Sequence, residues 1–528
     1  MKARKTMERL LKEGKITRRE FMQRISALGL AAAVSPALTA GTARAAMPRK
    51  GGRFRTALHG FSTTDTMDPA TLSDIGNYFI SWAARNNLVE VDYKGNAIPE
   101  LAERFEPANN AKTWIFHLRK GVEFHNGKSF EAADVVASIN YHRGKKSKSA
   151  AKALVDQVAD VRADGKHKVI IDLSSGNLDF PYVLSDYHLV IFPADTEPTP
   201  AEWMKCVGTG AYMIQENEPG VRVFGVRNPN YWKRSRAHFD EVEVLGISDV
   251  NSRMNALKTG QVDHANQADL KTVHLLEKTP GIKVLRATGT YHFTMPMFTD
   301  VAPYSDNNVR LALKYAVDRR SIVDTFLRGY GIPGNDHPIA PIQKFWADLP
   351  QRQFDPDKAK YYLKKAGLSG HTFKLYTASH AGFLDQAALF KEGAEKAGLK
   401  VELVRMPADG YWSNVWLKVP FCNCHWNGRI TVDWMFSAAY IGDAAWNDSH
   451  WRNDRFDKLL IAARAEMDDS KRAEMYYECQ KICRDEGGVI VHSFRDHVEA
   501  ASERIRFENL AGNWECDGAK AAERWWFA

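Results

Sequence analysis

Between Phe373 and Arg405 the hydrophobic period changes twice, and this limits the possible fold more than any other feature. Phe373 to Thr377 reads as a strand, Phe383 to Ala397 as a helix and Lys400 to Arg405 as a strand. A strand, a helix and a strand in so short a stretch form a crossover, and a crossover aligns its two strands in parallel. The C-terminal half is therefore α/β. The middle of the chain, 110–250, carries strand signals at Lys112 to Leu118, Lys168 to Leu173, Val221 to Arg227 and Val242 to Ile247, and reads as α+β. Val309, Ala312, Leu313, Ala316 and Val317 follow helical spacing; the spacing predicts one helix from a cap at Ser305 or Asp306 to Gly329. Asp355-Pro356 opens another helix that ends at Gly367.

At about 150 residues per domain, 528 residues imply roughly two to four domains. The net charge of +8 invites a nucleic-acid reading, so its position matters. Residues 1–46 hold ten Lys/Arg and three Asp/Glu; the remaining 62 basic and 61 acidic residues almost cancel. A body so near neutrality has no general field for a phosphate backbone, which argues against a nucleic-acid partner. The first 46 residues run from a basic stretch (Met1 to Arg24) through a modest apolar stretch (Ile25 to Leu38) to Ala43-Arg44-Ala45. That order is an export signal. Its core, Thr17-Arg18-Arg19-Glu20-Phe21-Met22-Gln23, resembles the twin-arginine motif. The apolar stretch is too short to span a membrane and is broken by Pro36. The expected location is the periplasm, free of the membrane. The six cysteines, Cys206, Cys422, Cys424, Cys479, Cys483 and Cys516, allow 15 pairings, and spacing chooses none.

Signatures of catalysis are missing or fail in context. Gly329-Tyr-Gly331-Ile-Pro-Gly334 spells a dinucleotide fingerprint, but it follows a helix, and Pro333 stands where the phosphate-binding helix would start. Cys422-Asn-Cys424-His425 lacks a second ligand pair at metal-site spacing. No catalytic residue, metal site or cofactor is assigned. What stands out is aromatic: Trp412, Trp416, Trp426, Trp434, Trp446 and Trp451 fall between 411 and 451. Indoles offer apolar walls and one N–H donor each, which suits a pocket for an amphipathic small molecule.

Thr113 to Ser138 (TWIFHLRKGVEFHNGKSFEAADVVAS) resembles the signature of the extracytoplasmic solute-binding proteins of peptide/nickel-type ABC importers. Further stretches are similar to that family in its order: Val207 to Tyr212 (VGTGAY), Arg227 to Trp232 (RNPNYW), Pro303 to Arg319, Gly329 to Gly331 and Phe354 to Lys360. The resemblance covers essentially all of 50–528. It implies an α/β, two-lobed, hinged periplasmic-binding-protein fold with a small α+β domain inserted in the first lobe. After the signal at 1–46, lobe one is expected at 47–88, 207–287 and 495–528, the inserted domain at 89–206 and lobe two at 288–494. The hinge crossings fall at Tyr291 to Thr294 and His492 to Arg495.

In peptide-binding members an Asp from a Trp- and Gly-containing stretch of lobe two pairs with the ligand ammonium. The matching stretch is His425 to Trp434, and Arg429 stands where that Asp is expected. An arginine cannot accept from an ammonium, but it can clamp a carboxylate or phosphate. A lobe-to-lobe salt bridge is the competing role for Arg429, and Asp433 is a candidate to replace the lost carboxylate. A second ligand stretch corresponds to Arg85-Asn86-Asn87-Leu88. The candidate ligand residues are thus Arg429, Trp426, Asn427, Asp433, Trp412, Arg85, Asn86 and Trp434. The implied function is non-enzymatic capture of a peptide-like small molecule by a monomer that delivers it to a membrane ABC permease. The alternatives are an anionic non-peptide solute such as an opine or conjugated amino acid, a metal chelate and, furthest from the motifs, a periplasmic enzyme.

Overall fold

The computed structural model describes residues 48–379, 382–408 and 410–528; the export-signal reading of 1–46 lies outside them. The crossover that sets the fold class is present. Strands Thr372–Ala378 and Lys400–Met406 pair in parallel from Thr372–Lys400 to Ala378–Met406, with helix Phe383–Lys396 between them. Phe373, Leu375, Ala387, Phe390 and Val401 put the apolar faces of all three elements into one core.

A mixed sheet of nine strands runs through the molecule. Its order is Cys424–Asn427, Ile282–Pro296, Val489–Ser502, His264–Ala265, Arg53–Leu58, Glu241–Gly246, Arg222–Arg227 and Tyr212–Glu218, with Gly331–Pro333 also on Val489–Ser502. The two longest strands, Ile282–Pro296 and Val489–Ser502, are antiparallel neighbours, second and third in this order. Their register slips between Thr288 and His292 and again between Phe293 and Thr294. The slips coincide with the expected crossings at Tyr291 to Thr294 and His492 to Arg495. A separate four-stranded antiparallel sheet, Ala102–Ala108, Thr113–Leu118, Lys168–Leu173 and Val158–Ala163, carries its own core around Trp114, Phe116, Phe130 and Ile171.

The glycines of Val207 to Tyr212 have a steric reason. A Cβ on Gly208 would lie 2.3 Å from the Ala84 carbonyl oxygen, and one on Gly210 2.3 Å from the Ala84 carbonyl carbon. That close approach lets Asn228 donate to the Gly210 carbonyl (3.2 Å) and Trp232 donate to Asn86 Oδ1 (3.2 Å). The two motifs therefore lock the end of helix Ile75–Ala84 against the sheet.

One helix expectation differs. The segment after Asp306 forms two helices, Asn307–Tyr315 and Arg319–Thr325, not one. Asp318 accepts from the Ser321 backbone at 2.9 Å and starts a new helix where the apolar spacing alone continued. All six cysteines are buried and free.

Candidate ligand-binding site

A narrow cleft of about 40 Å³ lies between segments far apart in the chain. One wall is built from Trp82, Asn87, Glu90, Asp186, Trp514 and Lys520, the facing wall from Thr290, Gly428, Arg429, Ile430 and Trp434.

The first wall is held by a buried charge network. Lys233 contacts Glu90 at 2.6 Å, Glu100 at 2.7 Å and Glu523 at 2.9 Å. Arg524 meets Glu90 at 2.6 Å, and Lys520 meets Glu100 at 2.6 Å. Burial alone would raise the Glu90 carboxyl, but Lys233, Lys520 and Arg524 hold it well below the usual carboxylate range. The cations of this wall are therefore already neutralised by protein carboxylates. Trp82 donates to Asn87 Oδ1 at 2.7 Å, Asn87 donates to the Asp186 carbonyl at 2.8 Å, and Lys520 lies over the Trp82 ring at 5.8 Å. Asn513, also in this wall, has a buried Oδ1 that takes no hydrogen bond from any described residue. Gly518 belongs to a turn in which Cys516, Asp517, Gly518 and Ala519 all have positive φ, between 57° and 68°. Asp517 braces that turn by accepting from the Ala511 backbone (2.7 Å) and the Trp525 indole (3.0 Å).

The second wall carries an uncompensated cation. Arg429 donates only to the backbone carbonyls of Asn427 and Gly428, both at 3.0 Å, and lies over the Trp434 ring at 5.8 Å. Among the described residues no carboxylate comes within salt-bridge distance of it, so the lobe-to-lobe salt bridge is not formed. Burial lowers its guanidinium below the usual range, opposed by the Asp186 carboxylate across the cleft. Asp186 itself is engaged by His188 at 2.6 Å. Gly428 is required here: a Cβ would lie 2.3 Å from Thr290. Thr431 caps helix Val432–Ala439 by accepting from the Trp434 backbone at 3.1 Å, which aims Trp434 under Arg429.

Of the eight candidate residues, the structure brings Arg429 and Trp434 into the cleft wall. Arg85 instead stays buried beneath it, donating to the Met67 carbonyl at 2.8 Å and lying over Trp203 at 5.7 Å. Asn86 is spent within the protein: its Oδ1 accepts from Thr209 at 3.0 Å, and its Nδ2 donates to Glu100 at 3.0 Å. Asp433 is paired with Arg464 at 3.0 Å. Trp426 is a core residue whose indole donates to Asp448 at 3.2 Å, as does that of Trp416. Trp412 packs edge-on to His425 at 5.1 Å, outside the cleft wall. Asn427 is exposed and contributes its carbonyl to Arg429. Sequence reasoning missed Trp82, Asn87, Glu90, Asp186, Trp514 and Lys520. Asn87 was within reach, since it belongs to the same four-residue stretch as Arg85 and Asn86.

Residues 96–448 match the family model described as bacterial extracellular solute-binding proteins, family 5 middle. The chain is 24% identical over 468 residues to the glutathione-binding protein GsiB of Escherichia coli O6:K15:H31 (strain 536 / UPEC), covering 86% of this chain and 90% of that protein. It is 29% identical over 288 residues to the nickel-binding periplasmic protein of Escherichia coli (strain K12), a match that covers 53% of this chain and about half, 55%, of that relative. Among solved structures, the binding protein AgaA from A. tumefaciens R10 in complex with agropinic acid superposes with a TM-score of 0.74 at 25% identity, covering 90% of this chain and 99% of that one. With two thirds of its length matched by the family model and its fold shared along nearly all of the described chain, this protein belongs to the family 5 extracytoplasmic solute-binding proteins, the non-enzymatic binding components of peptide/nickel-type ABC importers.

Proposed function

We propose that the chain captures a small, carboxylate-bearing, peptide-like solute between two lobes and presents the closed form to its membrane permease. The observation that carries this reading is Arg429, a half-buried guanidinium in the cleft wall that forms no ion pair with any carboxylate among the described residues. Burying an unbalanced cation is costly, and a ligand carboxylate offsets that cost with charge-assisted bonds. The lobes are 47–88 with 207–287 and 495–528, and 288–494, with 89–206 inserted as a small domain. The irregular register at Thr288 to Thr294 supports a hinge there. Both cleft walls come from one chain, which supports action as a monomer. Glutathione, named for one relative, and agropinic acid, bound by another, are both carboxylate-bearing solutes of this class.

Calorimetry of the stripped protein with glutathione, dipeptides and opines tests the reading. A binder is expected among them, and Arg429→Gln is expected to weaken it about ten- to hundred-fold with little change in thermal stability. Equal affinity in the variant overturns the reading. We also propose export by the twin-arginine route through Thr17 to Gln23. Replacing Arg18 and Arg19 together by lysine is expected to leave the chain in the cytoplasm; undiminished periplasmic accumulation would refute this route.

A further inference from the structure

A second arginine near the cleft also has no partner for its charge. Arg495 lies on strand Val489–Ser502, and its guanidinium sits over the Tyr291 ring, 5.1 Å from the centroid. Among the described residues it makes no ion pair and donates no hydrogen bond. Tyr291 stacks on His425 with centroids 5.1 Å apart and planes at 16°. The Tyr291 hydroxyl makes no hydrogen bond either, and burial pushes its pKa up, so it stays a neutral donor. The Arg495 charge acts on Glu515, but that carboxylate is taken by Asn266 (2.7 Å) and Gln267 (2.5 Å) and makes no ion pair with Arg495.

Strand geometry relates this group to Arg429. Asn427 pairs with Tyr291 on one flank of strand Ile282–Pro296, and Val489–Ser502 lies along its other flank. The segment that carries Arg429 and the strand that carries Arg495 therefore flank Ile282–Pro296 on opposite sides. Thr290 and Gly428, the chain neighbours of the paired Tyr291 and Asn427, both line the cleft, so the Tyr291 ring and the Arg495 guanidinium over it stand beside its wall.

We infer that Arg495 and the Tyr291 hydroxyl form a second anion anchor, and that the solute carries two acidic groups spaced to meet Arg429 and Arg495 together. The inference rests on Arg429 being the first anchor. It narrows the ligand class from carboxylates in general to diacids. A peptide with a single carboxylate would leave one of the two guanidinium groups unpaired, and this sets the selectivity.

Calorimetry with two matched probe pairs tests it: glutathione against its glycine-carboxamide, and N-(1-carboxyethyl)arginine against its monoamide. At least one diacid is expected to bind the wild-type protein about ten- to hundred-fold more tightly than its amide. Arg495→Gln should collapse that difference to about one-fold while leaving the amide's affinity unchanged, and Arg495→Lys should restore part of it. Thermal melting of both variants checks that they fold. If the amides bind as tightly as the diacids and only Arg429→Gln weakens them, the second anchor is overturned and the carboxylate reading stands. If neither diacid binds, the inference is overturned as well. If no carboxylate of any kind binds, both readings fall.

Discussion

Asp448 shows what burial does to a single side chain. It is 2% exposed, accepts from the Trp416 and Trp426 indoles at 3.2 Å each, and has no cation beside it. Burial raises its carboxyl to about 6, and the two indoles only partly oppose the rise. The folded value lies above the ordinary carboxylate value, so the fold favours the protonated form. That contribution is full below about pH 4 and is lost as the pH rises through about 6. From this residue, stability is expected to fall by roughly 3 kcal/mol between pH 4 and pH 7. Asp433 and Asp517 are raised to about 6 as well, so Asp448→Asn should remove one part of the slope. Urea unfolding at pH 4.5 and 7 checks this: an unchanged slope in the variant would show that Asp448 is ionised in the fold.

At the scale of elements, the cleft depends on short helices started at defined points. Helix Val432–Ala439 begins at Thr431, whose side chain accepts from the Trp434 backbone. Thr431→Ala is expected to cost about 1 kcal/mol of stability, and Thr431→Ser should recover most of it. Because Trp434 lies under Arg429, ligand affinity should fall several-fold in the alanine variant only; affinity insensitive to the cap would mean that Arg429 is positioned by its backbone bonds alone. The Asp306 and Asp318 caps show the same dependence. Both side chains start a helix, and the second interrupts what the apolar spacing presents as one element.

For the whole molecule, the proposed closure would draw support from contacts away from the cleft. Asp179, in the 89–206 segment, pairs with Arg472 of the 288–494 segment at 2.9 Å, with both side chains largely buried. Beside them the Leu178 backbone donates to the Arg464 carbonyl at 2.9 Å. On opening, both charges would return to water. Asp179→Asn leaves buried Arg472 with only the more distant, exposed Asp469 (3.9 Å) when closed, so the equilibrium should move toward an open form by tenfold or more. Small-angle scattering of the unliganded variant should show a larger radius of gyration than wild type, and ligand should reverse the change. Equal radii would mean that this pair does not contribute to closure.

The α/β class was readable in the sequence because it rests on local periodicity. Phe373 to Arg405 alternates periods that only a strand, a helix and a strand satisfy, and Asp355-Pro356 caps the helix that follows it with its own two residues. The motif glycines were readable too, although their reason, contact with Ala84, was not. The identity of the cleft walls was decided only by tertiary structure. Arg85 and Asn86 differ from Asn87 by one or two positions, yet only Asn87 faces the cleft, because the capped helix Ile75–Ala84 and the glycines behind it fix which way each side chain turns. Trp82 and Trp514 share a wall although they lie near opposite ends of the chain. Sequence alone determined which elements form and to which family they belong, since both are written in residues close to one another. Which charges stay unpaired, Arg429 and Arg495 among them, follows from how distant segments pack, because a charge is compensated by its neighbours in space.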